Sequence, residues 1–191
     1  MGCRMTTRDT QREETKKRIY HVAFKLFDEF GYDKVKVSDI AKAANVSVGS
    51  VYYHYKNKEA IIDYGYYEFD KILKEAYDKQ IFTNKRDAVL FLIDFQIKDV
   101  FLNIGLKMTT ICFKNQINAE NEYLYSDERY IYQKLLENLD GIQHMSKEHA
   151  AKMILRISRG SIYDWCCHDG DYDLVEAVHE EISIVLDYMG L

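Results

Sequence analysis

Across 191 residues this chain contains no proline, and it has only nine glycines. Proline lacks an amide proton and clashes with the preceding helical turn, so it interrupts helices wherever it falls in their interior. Its absence favours long unbroken helices and argues against a β-rich fold with many turns. The apolar spacing agrees. Ile19, Val22, Ala23, Leu26, Phe27 and Phe30 form one stripe over residues 12–30, which Gly31 should close in a left-handed conformation. Ile61, Ile62, Tyr66, Phe69, Ile72, Leu73 and Ala76 form another over 59–80. Asn84 should cap a helix over 85–103, and Gly105 breaks the chain before one over 106–118. Ser126, Asp127 and Glu128 signal a start at 127, with Gly141 as the stop; 118–125 reads as a loop. Ser146 should cap 147–167, and Asp173 begins 173–189. With two short helices between 37 and 54, the expected fold is all-α with about nine helices.

Those two short helices carry most of the functional signal. Ile40, Ala41 and Ala44 put small apolar groups on one face of the first, so another helix can approach closely. Asn45 tolerates the left-handed backbone of an abrupt helix end, Val46 fills the corner, and Ser47 can cap the next helix. That helix, over 48–54, has Val51 as its inward anchor. Its other side carries Gly49, Ser50, Tyr53 and His54. The window 47–58 holds two lysines, two serines, three tyrosines and a histidine, and no acid. These groups partner phosphates and base edges. The arrangement is a helix-turn-helix whose second helix is free to enter a DNA major groove.

The Ile-Ala pair, the Ala-Ala, the Asn-Val-Ser turn, the glycine two residues on, and Val-Tyr-Tyr-His-Tyr-Lys-Asn-Lys-Glu resemble the signature of the TetR family of bacterial transcriptional regulators, over about residues 12–64. The resemblance implies a three-helix DNA-binding domain over 1–58 and a larger helical effector-binding and dimerisation domain over 59–191. On the DNA side it implies Lys36, Ser38, Ser47, Val48, Gly49, Ser50, Tyr52, Tyr53, His54 and Lys58. Gly49, Ser50 and Tyr53 are expected at base edges, and Tyr52, His54 and Lys58 at phosphates. Arg12, Lys16 and Lys17 are phosphate candidates from the first helix. One departure stands out. The family usually has Thr or Ser near 35–36; here Val35 and Lys36 stand there, leaving Ser38 or Lys36 to do that work.

Charge supports a division of labour. Residues 1–65 hold twelve Lys/Arg and nine Asp/Glu, whereas 66–191 hold fourteen and twenty-two. A basic end on an acidic body suits a protein that meets nucleic acid at one end. No apolar run approaches the ~18–20 residues that span a bilayer, and no secretory leader opens the chain, so a cytoplasmic protein is expected. The opening residues 1–10 read as a loose arm, with Met5 as a second possible start. Cys3, Cys112, Cys166 and Cys167 lack Cys-x-x-Cys spacing, and neighbours on a helix diverge by about 100°, which makes Cys166-Cys167-His168 a poor chelate. Asp169, Asp171 and Asp173 begin like a calcium loop, but Leu174 stands where the turn needs glycine. Neither metal nor cofactor is expected, and no catalytic constellation is present.

Sixteen tyrosines, nine phenylalanines and one tryptophan supply the material for an apolar pocket, which the family encloses in its body. Phe91, Phe95, Met108, Phe113, Tyr130 and Trp165 are its candidate lining, for a hydrophobic or aromatic, even cationic, effector. The family also pairs its last two long helices with those of a second subunit. That assigns Ile154, Ser158, Ile162, Val178, Ile182, Val185 and Leu186 to a homodimer interface, with a monomer core as the other reading of the same stripes. The expected function is a sequence-specific repressor on a palindromic double-stranded operator, released by a small molecule. The alternative is a constitutive DNA-binding protein, either without an effector or controlled by a protein partner.

Overall fold

A computed structural model of the chain describes residues 7–118 and 126–191. Among the described residues there are nine α-helices and no strand. They are α1 (Thr7–Phe30), α2 (Val37–Ala43), α3 (Val48–His54), α4 (Lys58–Tyr77), α5 (Lys85–Phe95), α6 (Asn103–Asn118), α7 (Tyr130–Asn138), α8 (Lys147–Cys167) and α9 (Leu174–Tyr188). A π-helical stretch, Gln96–Leu102, joins α5 to α6. Two compact units divide between Gly65 and Tyr66, inside α4.

The helix ends follow the expected chemistry. Asn84 Oδ1 accepts from the Asp87 amide at 2.8 Å, Ser146 Oγ from His149 at 3.2 Å, and Asp173 Oδ1 from Val175 and Glu176 at 2.9 and 3.0 Å. Gly31 closes α1 at φ 88°. Three elements differ from the sequence reading. α1 begins at Thr7, so Thr7–Thr10 are helical rather than a loose arm; residues 1–6, with Cys3, lie outside the described residues. The helix expected over 85–103 is α-helical only to Phe95 and continues as the π stretch, while Gly105 at φ 75° kinks α6 near its start. Thr109 Oγ1 donates there to the carbonyls of Gly105 and Phe101, at 2.9 and 3.1 Å. The third helix to differ, α7, starts at Tyr130, three residues late; the loop expected at 118–125 lies outside the described residues beyond Asn118.

In the first unit, Ile19, Ala23 and Phe27 of α1 close over Ile40 and Ala41 of α2, Val51 of α3, and Ile61 and Ile62 of α4, all at most 3% exposed. A tyrosine web completes this core. Tyr64 packs its ring against Tyr20 and Tyr55 at 5.5 and 5.7 Å. The hydroxyl of Tyr64 donates to Glu13 at 2.8 Å and that of Tyr55 to the Lys16 carbonyl at 2.9 Å. Both rings are thus buried with their polar ends satisfied, as buried tyrosines require.

The second unit is centred on α5, whose Val89, Leu92 and Ile93 are buried with Leu135 of α7, Ile154 and Ile162 of α8, and Ile182 and Leu186 of α9. One charged pair lies inside it. Arg129, the residue before α7, gives Nε and Nη2 to the Asp70 carboxylate at 2.5 and 3.0 Å, and both side chains are under 8% exposed. Asp70 also accepts from the Tyr130 amide at 3.2 Å, and the guanidinium lies 5.6 and 5.5 Å from the Tyr66 and Phe69 ring centres. This pair sets where α7 begins. Removing one partner leaves a buried charge without compensation, a loss of about 3–5 kcal/mol. Asp70→Asn should therefore lower the urea midpoint markedly, while Asp70→Leu with Arg129→Met should recover much of the loss. Equal midpoints for Asp70→Asn and the parent would show that the pair carries no such weight.

Candidate nucleic-acid interface

The turn between α2 and α3 is a complete left-handed closure. Asn45 sits at φ 53°, its amide donates to the Lys42 carbonyl at 3.2 Å, and the Val46 amide reaches back to Ala41 at 2.9 Å. Ser47 Oγ then accepts from the Ser50 amide at 3.0 Å, capping α3. Ala41 and Ala44, at 3% and 1% exposure, allow the close crossing, and Val51 pins α3 beneath. Arg18 of α1 donates Nε to the Ala44 carbonyl at 3.1 Å, tying off the end of α2.

With α3 so held, its free side is set. Val48, Gly49, Tyr52 and Tyr53 are exposed, the tyrosines at 54% and 66%, while Ser50 and His54 are half-buried. Gly49 has helical dihedrals, and a Cβ there would meet only the Ser47 hydroxyl at 3.8 Å. Among the described residues nothing requires glycine at that position, the second of α3. The third tyrosine of the window, Tyr55, belongs to the core at 3% exposure.

A cation from another helix joins this face. The Arg12 guanidinium of α1 lies 5.2 Å from the centre of the Tyr53 ring, and the His54 ring meets Tyr53 edge-on at 5.1 Å. Burial, then Arg12 and Lys16, lower the His54 imidazole from its ordinary value against the weaker pull of Glu13, which favours its neutral form. Lys16 itself lies 4.3 Å from the Tyr64 ring. The sequence offered Arg12 only as a basic residue near a helix start; its place over Tyr53 depends on how α1 crosses α3.

The remaining expected DNA residues fall differently. Lys36 and Ser38 are exposed, and Lys36 stands before α2 with its amide donating to Asp39 Oδ2 at 2.8 Å. Val35, in place of the family's hydroxyl residue, is buried at 3%. Lys58 departs from its expected role. Its Nζ donates to the carbonyls of Tyr32 and Val35 at 2.9 and 3.1 Å and lies 4.3 Å from the Tyr32 ring centre. The ammonium holds the loop between α1 and α2, so a phosphate would have to compete with two carbonyls.

The six candidate pocket residues do not converge. Phe91, with Phe95, Phe82 and Tyr77 at 6.1, 5.4 and 6.1 Å, belongs to one aromatic group, which Tyr130 joins through Tyr77 at 6.2 Å. Phe113 belongs to another, with Phe101 and Tyr163. Met108 is buried at 2%, and the Trp165 Nε1 donates to the Tyr172 carbonyl at 3.2 Å while its ring packs on Gly170. The expected interface residues are already covered within one chain. Ile154, Ser158, Ile162, Val178, Ile182 and Leu186 are at most 1% exposed within one chain, and Val185 is half-buried. Ser158 Oγ donates to Gln96 at 2.8 Å. These stripes pack α8 and α9 onto their own subunit and are not open to a partner. Exposed on the same two helices are Tyr163, Ile184 and Tyr188 at 53–62%, together with Gly160, beside which a Cβ would meet nothing within 4 Å.

Lys58→Ala should therefore act on stability: losing a charged donor to two part-buried carbonyls costs about 1–3 kcal/mol. A melting temperature equal to the parent's, with weaker and less salt-dependent DNA binding, would restore the phosphate role.

Comparison with known proteins gives a consistent picture. Residues 19–64 match the model of bacterial regulatory proteins of the tetR family. The chain is 25% identical over 146 residues to IcaR of Staphylococcus epidermidis, the HTH-type negative transcriptional regulator of the biofilm operon icaADBC, covering 73% of this chain and 78% of that one. A transcriptional regulator from Rhodococcus sp. Rha1 has a similar fold, with a TM-score of 0.67 at 18% identity over 92% of this chain and 98% of its own. So does Bacillus subtilis FadR, solved in complex with stearoyl-CoA, with a TM-score of 0.61 at 22% identity over 90% and 98%.

Proposed function

The chain belongs to the TetR family of bacterial regulatory proteins, and from that premise we propose that it is a non-enzymatic repressor that binds a palindromic operator as a homodimer and is released by a small hydrophobic effector. The carrying observation is the solvent-facing side of α3: free of acid, fixed by a capped turn, and accompanied by Arg12 from α1. A short helix presented this way fits a major groove. Gly49, Ser50 and Tyr53 face base edges, and Tyr52, His54, Lys36 and Ser38 hold the backbone. IcaR, by its name a negative regulator, supports repression. FadR, a protein of this fold that takes stearoyl-CoA, supports a hydrophobic effector, and the aromatic group around Phe91 is its first candidate contact.

The exposed side of α8 and α9 supplies the dimer face in this reading, with Gly160, Tyr163, Ile184 and Tyr188 in place of the buried stripes. A surface glycine inside a helix is what close approach of a second helix would use. Ile184→Glu should yield a folded monomer with weak operator affinity, because it places a charge in that contact without disturbing the subunit core. A full-strength dimer in sedimentation would locate the interface elsewhere.

The chain passes from one compact unit to the other inside α4, without a flexible linker, so α4 is the route by which effector occupancy would alter half-site spacing. Linkage makes that coupling reciprocal. Selection from random duplexes should return a two-fold symmetric consensus, with affinity falling steeply as salt rises. Protein saturated with that duplex should bind a screened hydrophobic ligand more weakly than free protein does. Failure to select any consensus would overturn the DNA-binding reading; equal ligand affinity in both states would favour constitutive binding.

A further inference from the structure

Each kind of base is read in the major groove by a different side-chain chemistry. Arg and Lys pair with guanine, Asn and Gln with adenine, Asp and Glu with cytosine, and an apolar group meets the 5-methyl of thymine. The exposed face of α3 offers an unusual selection. From Ser47 to His54 it has no Arg, Lys, Asn, Gln, Asp or Glu. What it exposes is Val48 at 42%, Gly49, and the rings of Tyr52 and Tyr53. Val48 and Tyr52 are four residues apart and so share one helical strip.

The second observation is Gly49, beside Val48. Among the described residues its vacant Cβ position would meet only one hydroxyl, at 3.8 Å, and none of them gives a reason for its lacking a side chain. A bare backbone next to an exposed, β-branched apolar residue lets a flat surface come close to both. Val48 is stiff at χ1, so its methyl groups are held in one position at little entropic loss. The Arg12 guanidinium that joins this face lies over the Tyr53 ring, 5.2 Å from its centre.

We propose that this chain reads thymine in each operator half-site, through contact of Val48 with the 5-methyl group, with Gly49 admitting the base edge to that distance. The inference rests on the DNA-binding function proposed above. It assigns the bases facing Val48 to T·A pairs and leaves guanine readout, where the operator has any, to groups outside α3.

The test begins with a duplex selected from random sequence, which by itself establishes whether the protein binds specifically. Thymines of the half-site are then replaced singly by uracil, which lacks only the 5-methyl group. The expected result is one position, repeated by symmetry in both half-sites, where the replacement weakens binding about fourfold, as removal of one buried methyl would. Val48→Ala should bind the thymine duplex more weakly and lose the distinction between thymine and uracil at that position alone. Gly49→Ala should weaken both duplexes. If a consensus is selected yet uracil is tolerated at every position, or Val48→Ala discriminates as the parent does, the thymine readout is wrong while the regulator reading stands. If no consensus is selected, both fall.

Discussion

Much of the second unit's geometry depends on one obligation: the charge of Arg129 must be met where water cannot reach it. Asp70 meets it through two hydrogen bonds at 2.5 and 3.0 Å, and a forked guanidinium accepts a carboxylate in few orientations. An apolar contact between α4 and α7 would tolerate sliding; this one does not. The same carboxylate takes the Tyr130 amide, one of the donors a helix start leaves unpaired, so a single side chain both fixes α7 and caps it. Replacing such a pair by well-packed apolar groups is often neutral or stabilising, whereas removing one member is strongly destabilising.

The first unit solves a comparable problem with tyrosine. Tyr55 and Tyr64 fill space as large rings and anchor their hydroxyls to α1, which lets a small domain build a core from amphipathic residues. Their partners, Glu13 and the Lys16 carbonyl, lie one and four residues after Arg12 on the same helix. The first helix is therefore locked in rotation about its axis, and the guanidinium over Tyr53 is locked with it.

Local signals were legible in the sequence to the residue. Asn45 at its left-handed turn, the caps at Ser47, Asn84, Ser146 and Asp173, and the inward Val51 all depend on chemistry within a few positions along the chain. What eluded the sequence was set by partners far along it. Ser126 and its acidic neighbours read as a helix start, but Arg129, held by Asp70 fifty-nine residues away, moved it to Tyr130. Lys58 followed a basic motif and was drawn instead to carbonyls twenty-three and twenty-six residues upstream. The stripes of α8 and α9 were read correctly as apolar. Yet periodicity cannot say whether an apolar face turns toward its own chain or another, and here their own chain buries them.

The π-helical stretch between Phe95 and Asn103 has a consequence for how this body keeps time along its length. A π turn holds more residues than an α turn, so seven residues in that geometry let the chain's rotation fall behind that of an unbroken helix. Side chains after Leu102 therefore start from a new phase, the kink at Gly105 shifts it again, and Met108 and Cys112, four apart, define the buried side of α6 on their own terms. A pattern of apolar residues running through from Lys85 would place them wrongly. Together the stretch and the Gly105 kink behave as a slipped gear between two helices: they decouple the facing of α6 from that of α5, so the residues lining each can diverge without the other having to follow.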